Sequence, residues 1–169
     1  MTDPATELEP EWEDCPRQTF LVIRLGEELF ATEIASVQEV LRTGRIFPVP
    51  EASRPVLGVL NLRGQVVTVL SGHRLLGGEE PPEAPAARML VLERGDDLLA
   101  VRVDRVAGVV HVAEEDIRPP IEAVRPGGAI LGGNFHMRGN VVNLLNLRET
   151  LERRLAEELV AAPPAFGRV

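Results

Sequence analysis

The stretch FLVIRLGEELFATEI, residues 20–34, returns at an offset of 69 as MLVLERGDDLLAVRV, residues 89–103. Leu21 falls on Leu90, Val22 on Val91, Gly26 on Gly95, Leu29 on Leu98 and Ala31 on Ala100, and just beyond them Val37 falls on Val106 and Val40 on Val109. Each copy is an apolar run, a glycine followed by two acidic residues, and a second apolar run. Glycine supplies the positive φ of a tight turn at little steric cost, so each copy reads as a strand hairpin. A second pair sets GVLNLRGQVVTVLSGHRLL, residues 58–76, beside GNFHMRGNVVNLLNLRETL, residues 133–151, at an offset of 75. Gly58 meets Gly133, Arg63 meets Arg138, Gly64 meets Gly139, and Val66 and Val67 meet Val141 and Val142. Matched glycines and arginines recur by chance less readily than apolar alternation does.

The repeat predicts two related halves, roughly 19–76 and 88–145, each a small antiparallel sheet too slight to be very stable alone. Packing one on the other enlarges the core. Many short strands spaced by turn signals place the chain in the mainly β class, as barrels or sandwiches. Between the halves GGEEPPEAPAA, residues 77–87, is rich in proline and glycine and reads as a loop.

Two short helices are predicted among the strands. SVQEVLRTG places Val37, Val40 and Leu41 at helical spacing, with Ser36 as N-cap, Glu39 three residues on and Gly44 past the end. The other covers 146–160, with Asn146 as cap, Glu149 three on, and Leu147, Leu151, Leu155 and Leu159 along one face before Pro163-Pro164. Acidic, proline-bearing residues 1–18 read as a flexible tail, as do residues 161–169, leaving one domain over 19–160.

Composition narrows the function. Of 169 residues 44% are hydrophobic but only 4% aromatic, with no tyrosine and one tryptophan, a poor supply for stacking on bases. A net charge of −8 argues against nucleic-acid phosphates and anionic lipid, and favours protein partners. One cysteine, Cys15, excludes an internal disulfide and fits a reducing compartment. The start carries no secretion signal, and no apolar run approaches a membrane span, so the expected place is the cytoplasm.

Chemistry is scarce. His73, His111 and His136 lie at no metal-ligand spacing, so no metal or other cofactor is expected. No P-loop, Rossmann glycine series or nucleophile elbow is present. Ser71 and His73 are close in sequence but lack a third, orienting residue, which leaves a small hydrolase as the remote alternative.

Leu25-Gly26, Glu27-Glu28, Val37-Gln38-Glu39 and Asn61-Leu62-Arg63-Gly64 occur in that order, followed by Val103-Asp104, Val106 and Ile117-Arg118-Pro119. This series resembles the CheW family of chemotaxis coupling proteins over about residues 19–152. The resemblance implies two SH3-like, five-stranded β-barrels side by side, to which the residue patterns above add short helices and a C-terminal helix. It also implies an adaptor without enzymatic activity. Its partners would be the regulatory domain of the histidine kinase CheA and the cytoplasmic tip of chemoreceptors, in arrays at the inner membrane.

Carried over by motif, the receptor-facing candidates are Val37, Gly58, Asn61 and Arg63, with Glu39 and Arg63 as an ion pair. The resemblance supplies no kinase-facing residues. A guanidinium between apolar strands is costly to bury alone, and a carboxylate on the neighbouring helix would hold it. Glu39 has a competing use, closing a capping box with Ser36. Asn61 and Gly64 would serve the turn equally well, and Val37 the core. Ser71-Gly72-His73 departs from the family's Val-Asp-Leu-Arg segment, losing an acidic residue, while Arg42 and Arg45 match no motif. An alternative with the same fold is an auxiliary adaptor of another chemosensory pathway, for surface motility or development, holding one partner only.

Overall fold

The computed structural model describes residues 16–161, with side chains to residue 154. Cys15, most of both predicted tails, and the side chains of Leu155 and Leu159 lie outside the described residues. Strand β1 (Arg17–Leu25) turns through Gly26, at φ 65°, into β2 (Glu28–Glu33). A 3-10 turn at Ile34–Ser36 leads to β3 (Glu39–Arg42), then to the hairpin of β4 (Val56–Leu62) and β5 (Gln65–Ser71). After the one-turn helix α1 (Gly72–Leu75) come β6 (Arg88–Arg94), β7 (Asp97–Val103) and β8 (Arg105–Ala113). The hairpin of β9 (Leu131–Met137) and β10 (Asn140–Leu145) precedes α2 (Leu147–Ala161).

The strands form two five-stranded sheets, ordered β8-β1-β2-β10-β9 and β3-β6-β7-β5-β4. Replacing each strand by its repeat mate, β1 by β6 through β5 by β10, converts one order into the other. The fold is therefore mainly β and two-fold pseudosymmetric, as two SH3-like subdomains require. The backbone keeps the symmetry residue by residue. Arg63 and Arg138 have φ of 50° and 49°, Gly58 and Gly133 152° and 155°, and both β4-β5 and β9-β10 shift register beside that glycine.

The two halves do not form separate sheets. Each sheet takes β1-β2 or its mate from one half and the last three strands from the other, joined by parallel pairing of β2 with β10 and of β7 with β5. The domain cannot be cut at residues 77–87 without dividing both sheets. Apolar residues respond accordingly. Ile23, Leu25 and Phe30 of one sheet and Leu70, Leu90, Val101 and Val103 of the other share a central cluster with Leu147 and Leu151, and each barrel encloses a smaller cluster of its own.

The predicted helix over 36–44 is a correction. Those residues make a 3-10 turn and an edge strand, with Gln38 N–H donating to Val91 O at 2.8 Å and β3 pairing antiparallel to β6. In so short a stretch, helical and alternating patterns fit the same valines, and pairing with β6 decides between them. Ser36 therefore caps no helix, and Glu39 closes no capping box. Asn146 does cap α2, its Oδ1 accepting from Glu149 N–H at 3.1 Å and its Nδ2 donating to Glu149 Oε2 at 3.2 Å. Arg17 and Gln18, placed by the sequence reading within the N-terminal tail, pair with Ala113 and Val112 of β8.

Candidate docking face

The β4-β5 turn consists of Arg63 and Gly64, both at positive φ, at 50° and 85°. Two left-handed residues in a two-residue loop make a turn whose twist matches the flanking strands. Gly64 adopts this conformation freely; Arg63 does so against the crowding of its Cβ. Asn61 Oδ1 accepts from Gly64 N–H at 2.8 Å and pins the turn from within.

The Arg63 guanidinium, projected by this turn, donates to Glu39 Oε1 on β3. β3 and β4 are the two edges of their sheet, so this contact spans the seam where the barrel closes. Backbone bonds between Phe47 and Val59, at 2.8 and 2.9 Å, join the seam further along. The arginine is not sandwiched between apolar strands, as the sequence suggested. Its side chain is 70% exposed against 30% for Glu39, and the carboxylate sits on an edge strand rather than a helix.

Gly58 is buried and offers a partner no surface. A Cβ built there would lie 2.2 Å from Phe47 O, so its absence lets residue 47 cross β4 at backbone distance. Gly58 thus shapes the face from behind. Val37 is half-buried against the central cluster, where the chain passes from one sheet to the other. Val40 on β3, Val66 on β5 and Phe47 in the segment between β3 and β4 are exposed, and the Arg45 guanidinium lies over the Phe47 ring, 4.9 Å from its centroid. Sequence reasoning singled out none of these four for the face. Of the four only Val40 lies on an edge strand; Val66 is on β5, and Arg45 and Phe47 lie in the segment between β3 and β4.

The departure at Ser71-Gly72-His73 is absorbed within the molecule. Ser71 Oγ accepts from Arg74 N–H at 3.1 Å, capping α1, and hydrogen-bonds with Glu80 Oε2. Glu80 Oε1 in turn accepts from Arg102 Nε at 2.7 Å, both side chains being almost buried. The loop between the repeats thereby brings a carboxylate to the place where the segment lacks one. His73 lies against Asp104 instead, so Ser71 and His73 serve separate partners and form no nucleophile–base couple. Among the described residues, no cluster of His, Cys, Asp and Glu could hold a metal, and no helix is long and apolar enough to cross a membrane.

Residues 19–155 match the CheW-like domain. Protein FrzA of Myxococcus xanthus is 32% identical over 81% of this chain and 87% of its own length. Chemotaxis protein CheW of Helicobacter pylori is 26% identical over 79% and 81%. The scaffolding protein TtCheW of Thermoanaerobacter tengcongensis superposes with a TM-score of 0.69 at 23% identity, covering 78% of this chain and 86% of that one.

Proposed function

The chain belongs to the CheW family of chemosensory scaffold proteins, and from that membership we propose that it joins the regulatory domain of CheA to the cytoplasmic tip of a chemoreceptor. It makes and breaks no bond. Holding two partners at once turns the second binding event into an intramolecular one, so two weak contacts become one assembly through effective concentration. Signal then passes as a shift in the kinase's conformational populations. Its place is the cytoplasmic side of the inner membrane, where the receptor tips lie.

The single observation supporting the receptor arm is the exposed Arg63, kept in a strained left-handed turn and aimed by Glu39 across the barrel seam. Arg138 in the mate turn has the same backbone, but the counterpart of Glu39 there is Gly108, so the ion pair across the seam is what sets Arg63 apart. Asn61 fixes the turn, Gly58 fixes the crossing beneath it, and Val37 sets the edge of the face. The test is a pull-down with the CheA regulatory domain and a receptor signalling fragment. A ternary complex is expected, and Arg63→Ala should weaken the receptor arm by roughly tenfold, about 1.4 kcal/mol, with the kinase arm little changed.

A single-partner adaptor is the second reading. It is favoured by the segment at Ser71 and His73, whose polar groups are engaged inside the molecule rather than offered outward. Recovery of only binary complexes, whatever the order of addition, would select it.

A further inference from the structure

The pseudosymmetry makes two sites comparable, one filled by the chain itself and one open. In the β3–β7 sheet, Ser71 at the end of β5 stands opposite Arg102 of β7, and Glu80 of the inter-repeat loop reaches into that corner to bond both. In the other sheet the mates of Ser71 and Arg102 are Asn146 and Glu33. The parallel pairing of β10 on β2 ends at Leu144 with Ala31, and two residues beyond it on either strand Asn146 and Glu33 line the same groove. Asn146 caps α2 as Ser71 caps α1. Here the corner is an open groove of about 420 Å³, floored by Phe20, Ile117 and Leu144, with Glu33, Glu114 and Asn146 among its lining. That size lies within the range of ligand-binding clefts.

The occupied site shows what such a corner takes: a proline-containing loop segment that delivers one charged side chain. At the open site the charge of the receiving residue is reversed, arginine in one barrel and glutamate in the other. We propose that the Glu33–Asn146 groove docks a segment of a partner protein that delivers an arginine or lysine to Glu33.

Charge selects against the chain's own acidic beginning, since Asp3, Glu7, Glu9, Glu11, Glu13 and Asp14 would all meet Glu33 and Glu114 as like charges. Arg168 is a poor candidate on reach. The end of α2 lies about 21 Å from Leu147, at 1.5 Å per residue. The seven residues from Ala161 to Arg168 span about 23 Å only when fully extended. A partner segment has no such constraint. The groove is built from a different sheet than Arg63, so this inference goes beyond the adaptor reading.

The test uses the full-length, isotope-labelled protein and two synthetic nonapeptides with the sequence of residues 77–85. Both carry Glu79→Ala and Glu83→Ala; one also carries Glu80→Arg. The arginine peptide should produce saturable amide shifts at Glu33 and Asn146, binding roughly tenfold tighter than the glutamate peptide and weakening with salt. Glu33→Arg, at an exposed position, should invert the preference, while Arg63→Ala should leave it unchanged. No saturable shift, equal affinity for the two peptides, or indifference to Glu33→Arg overturns the proposal. Binding that appears only after removal of residues 162–169 assigns the groove to the chain's own end and overturns it too. So does a concentration-dependent self-association that Glu33→Arg abolishes, which assigns it to a second copy.

Discussion

His73 Nε2 lies 2.8 Å from Asp104 Oδ1, and the second oxygen of that carboxylate accepts the N–H of Gly26 at 2.7 Å. One aspartate thus holds the turn between β1 and β2 to the helix that follows β5, elements of opposite sheets. Asp104 itself stands between β7 and β8, where the chain passes from one sheet to the other. The contact clasps the two barrels at the crossing.

Breaking the clasp should loosen the barrels against each other without altering either interior. Asp104→Ala removes both hydrogen bonds and is expected to cost about 1–3 kcal/mol in urea unfolding, His73→Ala about 1 kcal/mol. The double variant should cost less than the sum, because the two changes delete one shared interaction. Strict additivity would mean that the two residues act apart.

The seam pair should behave in the opposite way. Arg63 is largely exposed, so its bond to Glu39 contributes at most about 1 kcal/mol to folding. Arg63→Gly gives up that bond but relieves a left-handed backbone that disfavours a Cβ by about 1–2 kcal/mol. Thermal unfolding should therefore show Arg63→Gly as stable as the parent or more so, while receptor binding falls. A marked loss of stability would make the arginine a structural residue rather than a docking one.

The repeat was legible in the sequence because its strongest markers are backbone requirements. Gly26, Gly64 and their mates must take positive φ, and the arginines beside Gly64 and Gly139 travel with the turn. Pairing across the chain was not legible. The apolar run from Phe20 to Ile23 says that β1 is buried on both faces, yet nothing in it says whether β2 will take β10 or β5 as a parallel neighbour. Residues 36–44 failed for a related reason, since the partner that makes β3 a strand lies about 50 residues away in β6. The anchoring of Glu80 was equally hidden. A glutamate in a proline-rich loop looks solvated until Arg102 and Ser71 are placed beside it.

That anchor yields a prediction of its own. Glu80 and Arg102 have side chains only 10% and 13% exposed, and removing one charge strands the other. Glu80→Ala should cost about 3 kcal/mol, and Arg102→Ala a similar amount. Replacing the pair together by apolar residues of like volume should recover much of the loss. Hydrogen exchange in the loop over residues 77–87 should accelerate in the Glu80 variant, because the carboxylate that ties the loop to β7 is gone.

Gly58 gives the sharpest case. A methyl at Gly58 would sit 2.2 Å from Phe47 O and 2.8 Å from the carbonyl carbon, on a backbone whose φ of 152° a side chain rarely adopts. Neither obstacle is the yielding end of a side chain. Gly58→Ala must push the segment around Phe47 away from β4 and break the backbone bonds with Val59 that close the seam. The expected loss is about 3 kcal/mol or more, in the range kept for overpacking and strained backbone. Gly133, its mate, faces Arg118 O at 2.7 Å, so Gly133→Ala should be milder though still destabilising. Because the seam carries Glu39 and Arg63, Gly58→Ala should also lower receptor binding in whatever fraction still folds, while Gly133→Ala, in the other sheet, should spare it. A Gly58→Ala protein that matched its parent in both unfolding and binding would show that the crossing at Phe47 is not what holds the face in place.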